Sequence, residues 1–166
     1  GATAEVYAKV RKRTGGKLPN AYAAMGYISP SLLTTYLDAD DAQNTSGLSR
    51  KDLETIKLLV SAHSGCDYCV AAHNMMGKLV GFGEDEVRAI RHLEGTGDAK
   101  HDALTRFVLA ILRQSGTLPD DVVADIRAAG YTDAQLLAIA YAIAMITFTN
   151  TFNRINDTEV DFPTVE

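Results

Sequence analysis

The chain has 166 residues, 46% of them apolar, and its 16 Lys and Arg against 21 Asp and Glu leave a net charge of −5 with His neutral. At this length roughly two-thirds of the unfolded surface can be buried, so a core forms without disulfide staples or a structural metal. Intrinsic disorder and a small disulfide scaffold are excluded, and the dispersed cations, grouped only at Arg11 to Arg13, offer no continuous basic face for nucleic acid.

Helix punctuation recurs along the chain and alternating strand patterns are missing, which predicts an all-α, single-domain bundle over residues 1–166 with eight or nine helices. The first helix is expected over Ala4 to Arg13, ended by Thr14-Gly15-Gly16, and a short second one runs from Leu18-Pro19-Asn20 to Tyr27. Ser29-Pro30 sets an N-cap before a proline at the first helical position of a third helix reaching Ala42. After the polar turn Gln43 to Gly47, Ser49 to Asp52 resembles a capping box, with Asp in place of the usual Glu, for a fourth helix. Its buried stripe is Leu53, Ile56, Leu59, Val60 and His63. Ser64-Gly65 breaks the chain, and Cys66 opens a fifth helix to Val80. Helices over Glu84 to Leu93, Asp98 to Gln114 and Pro119 to Ala129 follow. Thr132 to Gln135 forms a capping box for a last helix to Ile155. The most apolar run, Leu136 to Phe148, has 13 residues against the ~20 that span a bilayer, so no membrane partner is expected. That last helix is apolar nearly all round, which suggests a subunit interface as well as a core. Gly1 stands where an initiator Met is expected and reads as a cloning remnant. No leader pattern follows it, and the expected location is cytoplasmic.

The two cysteines, Cys66 and Cys69, are three residues apart, and in a reducing compartment such a pair points to redox or metal chemistry before a structural bridge. Cys66, Cys69 and His73 fall within an arc of about 60° on one helix face. Cys66 lies at the helix start, where unpaired N–H groups and the positive dipole end favour a thiolate, and Cys69 is in the first turn. An imidazole and a second thiol nearby complete the conditions for an acidic cysteine. A thiolate so placed can attack an O–O bond to give a sulfenic acid, which the neighbouring thiol converts to a disulfide. Glu54, twelve positions before Cys66 and beside Leu53 on the fourth helix, is the candidate to complete proton transfer, through His73 or a bridging water.

Glu54 followed by Cys66-Asp67-Tyr68-Cys69-Val70-Ala71-Ala72-His73 resembles the Glu-x11-Cys-x2-Cys-x3-His signature of the alkylhydroperoxidase AhpD-like branch of the carboxymuconolactone decarboxylase family. Phe152 to Asn156 and Glu159 to Pro163 resemble the Asn-x-x-Asn and Asp-Phe-Pro segments of its peroxidase-related single-domain members. Leu18-Pro19-Asn20 and Leu48-Ser49 match the N-terminal pattern of the same group. The resemblance implies an all-α fold, trimers or hexamers, and a thiol-dependent peroxidase without a cofactor, acting on hydrogen peroxide or organic hydroperoxides. A protein or small-thiol reductant would restore it. By matching position, Cys69 attacks the peroxide, Cys66 resolves, and Glu54 with His73 relays protons. Tyr68 stands where the best-studied AhpD type has a His; its phenol is a poor base near neutral pH, so a shorter relay is implied.

Three other readings fit parts of the pattern. Cys66, Cys69 and His73, with Glu54 or His63, have ligand types that zinc accepts, although no second Cys-x-x-Cys or His pair exists. A lactone decarboxylase like the family's namesake would use Glu54 and His73 without needing two thiols. A thiol switch or zinc-stabilised module would bind a partner instead. His63 is expected as a hydrogen-bonded core residue near the site, His92 and His101 as surface residues, and Met75 and Met76 as packing.

Overall fold

The computed structural model describes residues 1–166: nine α-helices, one 3₁₀ turn and no strand. They are α1 (Ala2–Arg13), α2 (Asn20–Ile28), α3 (Pro30–Asp41), α4 (Arg50–Ser64), α5 (Asp67–Leu79), α6 (Glu84–Arg91), α7 (Ala99–Arg113), α8 (Asp120–Ala128) and α9 (Asp133–Asn156). The expected caps set several boundaries. Ser29 Oγ accepts the Leu32 N–H ahead of Pro30. At α9 the capping box closes in both directions, with Thr132 Oγ1 accepting from Gln135 N–H at 3.2 Å and Gln135 Oε1 from Thr132 N–H at 2.9 Å.

Local chemistry departs from the sequence reading in a few places. At α4, Ser49 Oγ accepts the Asp52 N–H at 3.0 Å, but the Asp52 carboxylate turns to the Tyr131 hydroxyl at 3.1 Å instead of completing a box. The polar turn after α3 winds into a 3₁₀ helix, Ala42–Thr45. His101, expected on the surface, is buried. The Asp98 N-cap accepts its backbone N–H at 2.8 Å and sends the ring inward, where Nε2 meets Thr55 Oγ1 at 2.6 Å and Nδ1 meets Thr96 Oγ1 at 3.2 Å. His92 is exposed as expected.

Two apolar clusters organise the fold. The larger one joins α4, through Ile56, Leu58 and Leu59, to Leu104 and Val108 of α7 and to Ile139, Ala142 and Ile146 of α9. The smaller one gathers Val6 and Val10 of α1, Met25 of α2, and Leu33 and Leu37 of α3 around Cys66, Tyr68 and Cys69. The thiols therefore sit where the N-terminal three-helix layer meets the main bundle.

α9 begins and ends close to where its capping box and the last apolar residues place it. The apolar run of 13 residues continues into one 24-residue helix, long and apolar enough to cross a membrane by length and composition alone. Its apolar side chains divide between the core and the surface. Ala138, Ile139, Ala142 and Ile146 face the core, while Leu137, Phe148 and Ile155 are exposed.

Candidate active site

The turn between α4 and α5 fixes both sulfurs. Gly65 takes left-handed backbone, φ 75° and ψ 28°. Its N–H bonds to the Ala62 carbonyl at 3.2 Å, and the Cys66 N–H bonds to the Ser61 carbonyl at 3.1 Å. This is a Schellman closure, and Gly is the residue that adopts its left-handed position without strain. One residue later Cys66 is the N-cap of α5, not its first helical residue, and its Sγ accepts the Cys69 N–H at 3.3 Å. A sulfur thus occupies the place usually taken by a Ser or Asp oxygen, turned toward the first helical turn that carries the second thiol.

The two thiols are electrostatically unequal. The neighbouring Cys66 thiol does most to favour the charged form of Cys69, and the amides of Asn150 and Asn153 act in the same direction, against the opposing effect of burial. The positive charge of His73 adds to these, and the Cys69 thiol is brought down to about 6. The Cys66 thiol moves strongly upward, because it serves as donor to that thiolate and is itself desolvated. Asn153 Nδ2 lies 3.4 Å from Cys69 Sγ. Asn150 is held by Ser61 Oγ, which accepts from its Nδ2 at 2.9 Å, and by Ser64 Oγ, which donates to its Oδ1 at 3.1 Å.

The acid–base pair forms across α4 and α5. Glu54 Oε2 and His73 Nδ1 are 2.9 Å apart, and Glu54 is only 6% exposed. Burial pushes the Glu54 carboxyl up, but the charge and hydrogen bond of His73, together with Lys57, outweigh it and leave the group below its ordinary value. Lys57 Nζ stands 3.7 Å from Glu54 Oε1. With Nδ1–H directed at Glu54, the other ring nitrogen of His73 is left to exchange a proton.

Cys69, Glu54 and His73 line one cavity of about 900 Å³, and Cys66 does not line it. Its walls include Tyr22, Tyr36, Tyr68 and Phe162. Met75 and Met76, expected as packing, also line it, and Met76 is partly exposed. Tyr68 is buried with its hydroxyl accepting the Ala21 N–H at 3.2 Å, and its ring packs edge-on to Phe162. It walls the cavity and ties α5 to α2. The Phe162 segment is pinned by Asp161 Oδ2, which accepts the Asn20 N–H at 2.9 Å.

His63 is not part of this assembly. It is exposed in the last turn of α4, because the face turned inward there is that of Ser61 and Ser64, taken up by Asn150. No three His, Cys, Asp or Glu side chains stand together as a metal-holding group. Lys57, Asn150 and Asn153 were not singled out as site residues from sequence. The signal in the sequence is a pair of asparagines, Asn150 and Asn153, one helical turn apart on the continuation of the apolar run, where a buried amide needs partners.

The carboxymuconolactone decarboxylase family model matches residues 30–114, over half of the chain and including Glu54, Cys66, Cys69 and His73. The protein belongs to the carboxymuconolactone decarboxylase family. No curated protein matches the chain. Among solved structures, a peroxidase-related protein with an alkylhydroperoxidase AhpD core from Ralstonia eutropha superposes with a TM-score of 0.81 at 20% identity, covering 92% of this chain and 82% of that one. A putative antioxidant defence protein AhpD from Agrobacterium tumefaciens gives 0.75 at 23%, covering 82% and 95%. The debrominase Bmp8, solved with 2,3,4-tribromopyrrole, gives 0.78 at 18%, covering 95% and 84%. These likenesses establish the all-α AhpD-like fold. The two α9 asparagines and the Phe162 wall lie outside the segment that the carboxymuconolactone decarboxylase family model matches.

Proposed function

We propose that the protein is a dithiol peroxidase. The observation that carries this reading is that Cys69, held toward the thiolate, opens into the same cavity as the Glu54–His73 pair, while Cys66 sits behind it. The Cys69 thiolate attacks the outer oxygen of a hydroperoxide. The O–O bond breaks, Cys69 becomes a sulfenic acid, and the leaving alkoxide takes a proton from His73, whose other nitrogen Glu54 holds. The Cys66 thiol then attacks the Cys69 sulfur; its proton leaves with the hydroxyl as water, and the two sulfurs form a disulfide. Two electrons and two protons from a protein or small-thiol reductant restore both thiols. A homo-oligomer, trimer or hexamer, belongs to the same proposal, since Tyr27, Leu32 and Leu137 stand exposed.

The size and aromatic walls of the cavity favour a second reading. A carbon–halogen bond on an aromatic ring would accept the same two electrons, the halide leaving and a proton replacing it as the disulfide forms. The Bmp8 likeness makes this worth testing. Reduced protein mixed with cumene hydroperoxide and dithiothreitol is expected to consume peroxide catalytically, with a Cys66–Cys69 disulfide detected when dithiothreitol is withheld. Consumption no faster than the dithiothreitol blank would overturn the peroxidase reading, and bromide release from 2,3,4-tribromopyrrole in that case would establish the second.

A further inference from the structure

The C-terminal end of α9 directs an amide at the reacting sulfur. Asp157 adopts left-handed backbone, φ 47° and ψ 49°, and reverses the chain so that the Thr158 N–H returns to the Asn153 carbonyl at 3.2 Å. The reversal places the Thr158 hydroxyl on the Asn153 side chain, where it meets Oδ1 at 2.7 Å. Asn156 Nδ2 donates to the same hydroxyl oxygen at 2.9 Å, so the hydroxyl proton is free to point at Asn153. With Oδ1 thus engaged, the amide has one orientation open to it, and Nδ2 faces Cys69 Sγ at 3.4 Å. Asn153 and Thr158 are both buried, which shields this line of donors from competing water. A flipped amide would set an oxygen lone pair against the sulfur and repel its charge.

We infer that Asn153 is a catalytic residue, an amide donor that stabilises the Cys69 thiolate, and that Thr158 and Asn156 are positioning residues that fix its direction. The assignment rests on the peroxidase reading above. An N–H donor to an ionised sulfur favours the charged form far more than the neutral thiol, so it acts where the nucleophile forms. It also holds the sulfur that takes up oxygen without using either group of the Glu54–His73 pair.

The test is the pH dependence of iodoacetamide alkylation at Cys69, followed by peptide mapping in the full-length protein. Asn153→Ala is expected to move the Cys69 inflection up by about one pH unit, a tenfold loss of rate on its acid side. Asn153→Asp keeps the shape but sets a carboxylate on the sulfur, and its shift is expected to be larger; a residue needed only for packing would tolerate it. Thr158→Val, which never touches the sulfur, is expected to give a smaller upward shift, and Thr158→Ser to restore the wild-type profile. Asn153→Ala and Asn153→Asp profiles that superimpose on a wild-type inflection near 6 would overturn the assignment alone. A wild-type Cys69 reactive only above about pH 8 would overturn the thiolate reading and the assignment together.

Discussion

Replacing Cys69 with Ser is expected to lower peroxide turnover by about three orders of magnitude or more, the scale seen when a covalent nucleophile is removed. Cys66→Ser, by contrast, is expected to consume one equivalent of peroxide and stop. The difference follows from where the sulfurs lie. Cys69 lines the cavity, and Cys66, which does not, is turned to the first turn of α5, where its Sγ accepts the Cys69 N–H. Ser is a conservative probe at position 66 because Cys66 is the N-cap of α5, a position that Ser fills well, and its hydroxyl still donates to the Cys69 thiolate. The Cys66→Ser protein should therefore fold, react once, and accumulate a Cys69 sulfenic acid that dimedone traps. Dimedone labelling at position 66 of the Cys69→Ser protein, with turnover retained, would reverse the two roles.

Glu54→Gln carries the second large effect, a fall in turnover of about a hundredfold or more, the range for loss of acid–base assistance. The amide is isosteric and can still accept from His73 Nδ1, but it lacks the charge that holds the imidazolium ready to protonate the leaving alkoxide. It also leaves Lys57 Nζ, 3.7 Å from the native carboxylate, without its counter-charge. The sign of the pH dependence separates this residue from the nucleophile. The Glu54 carboxyl lies below its ordinary value. Its pairing therefore stabilises the folded state above the unfolded value, and that contribution is lost only as pH falls through the lower folded value. The acid limb of activity, near pH 6, then belongs to Cys69. Glu54→Gln should lose turnover at the pH optimum while its Cys69 still alkylates. Turnover within twofold of wild type would contradict the relay.

What the sequence disclosed was local chemistry with a short reach. Ser29-Pro30, Thr132 with Gln135, and Ser64-Gly65-Cys66 carry their own cap and turn instructions, and the helices begin and end where those residues require. The 2.9 Å approach of Glu54 to His73 was within reach of the same reasoning, because a tight turn between two amphipathic helices leaves few ways for them to pack. Partners chosen across the fold were not legible. His63 fits the α4 stripe by spacing, yet Asn150 of α9 takes the neighbouring face through Ser61 and Ser64. His101 lies among charged residues in sequence, yet its N-cap turns it onto Thr55, 46 residues away. Asn153 reaches Cys69 across 84 residues, and no periodicity encodes that contact. The cavity is likewise a product of assembly, since Tyr22, Tyr36 and Phe162 come from elements that meet only when the N-terminal layer and the C-terminal segment close over α5.

Peroxide chemistry at this site requires one asymmetry, a charged Cys69 beside a neutral Cys66, and rates of alkylation at each cysteine between pH 5 and pH 9 measure it directly. The expected profile has Cys69 half-maximal near pH 6 and Cys66 unreactive throughout. Two superimposed curves rising near pH 8.5, the ordinary thiol value, or a Cys66 that reacts first, would contradict it.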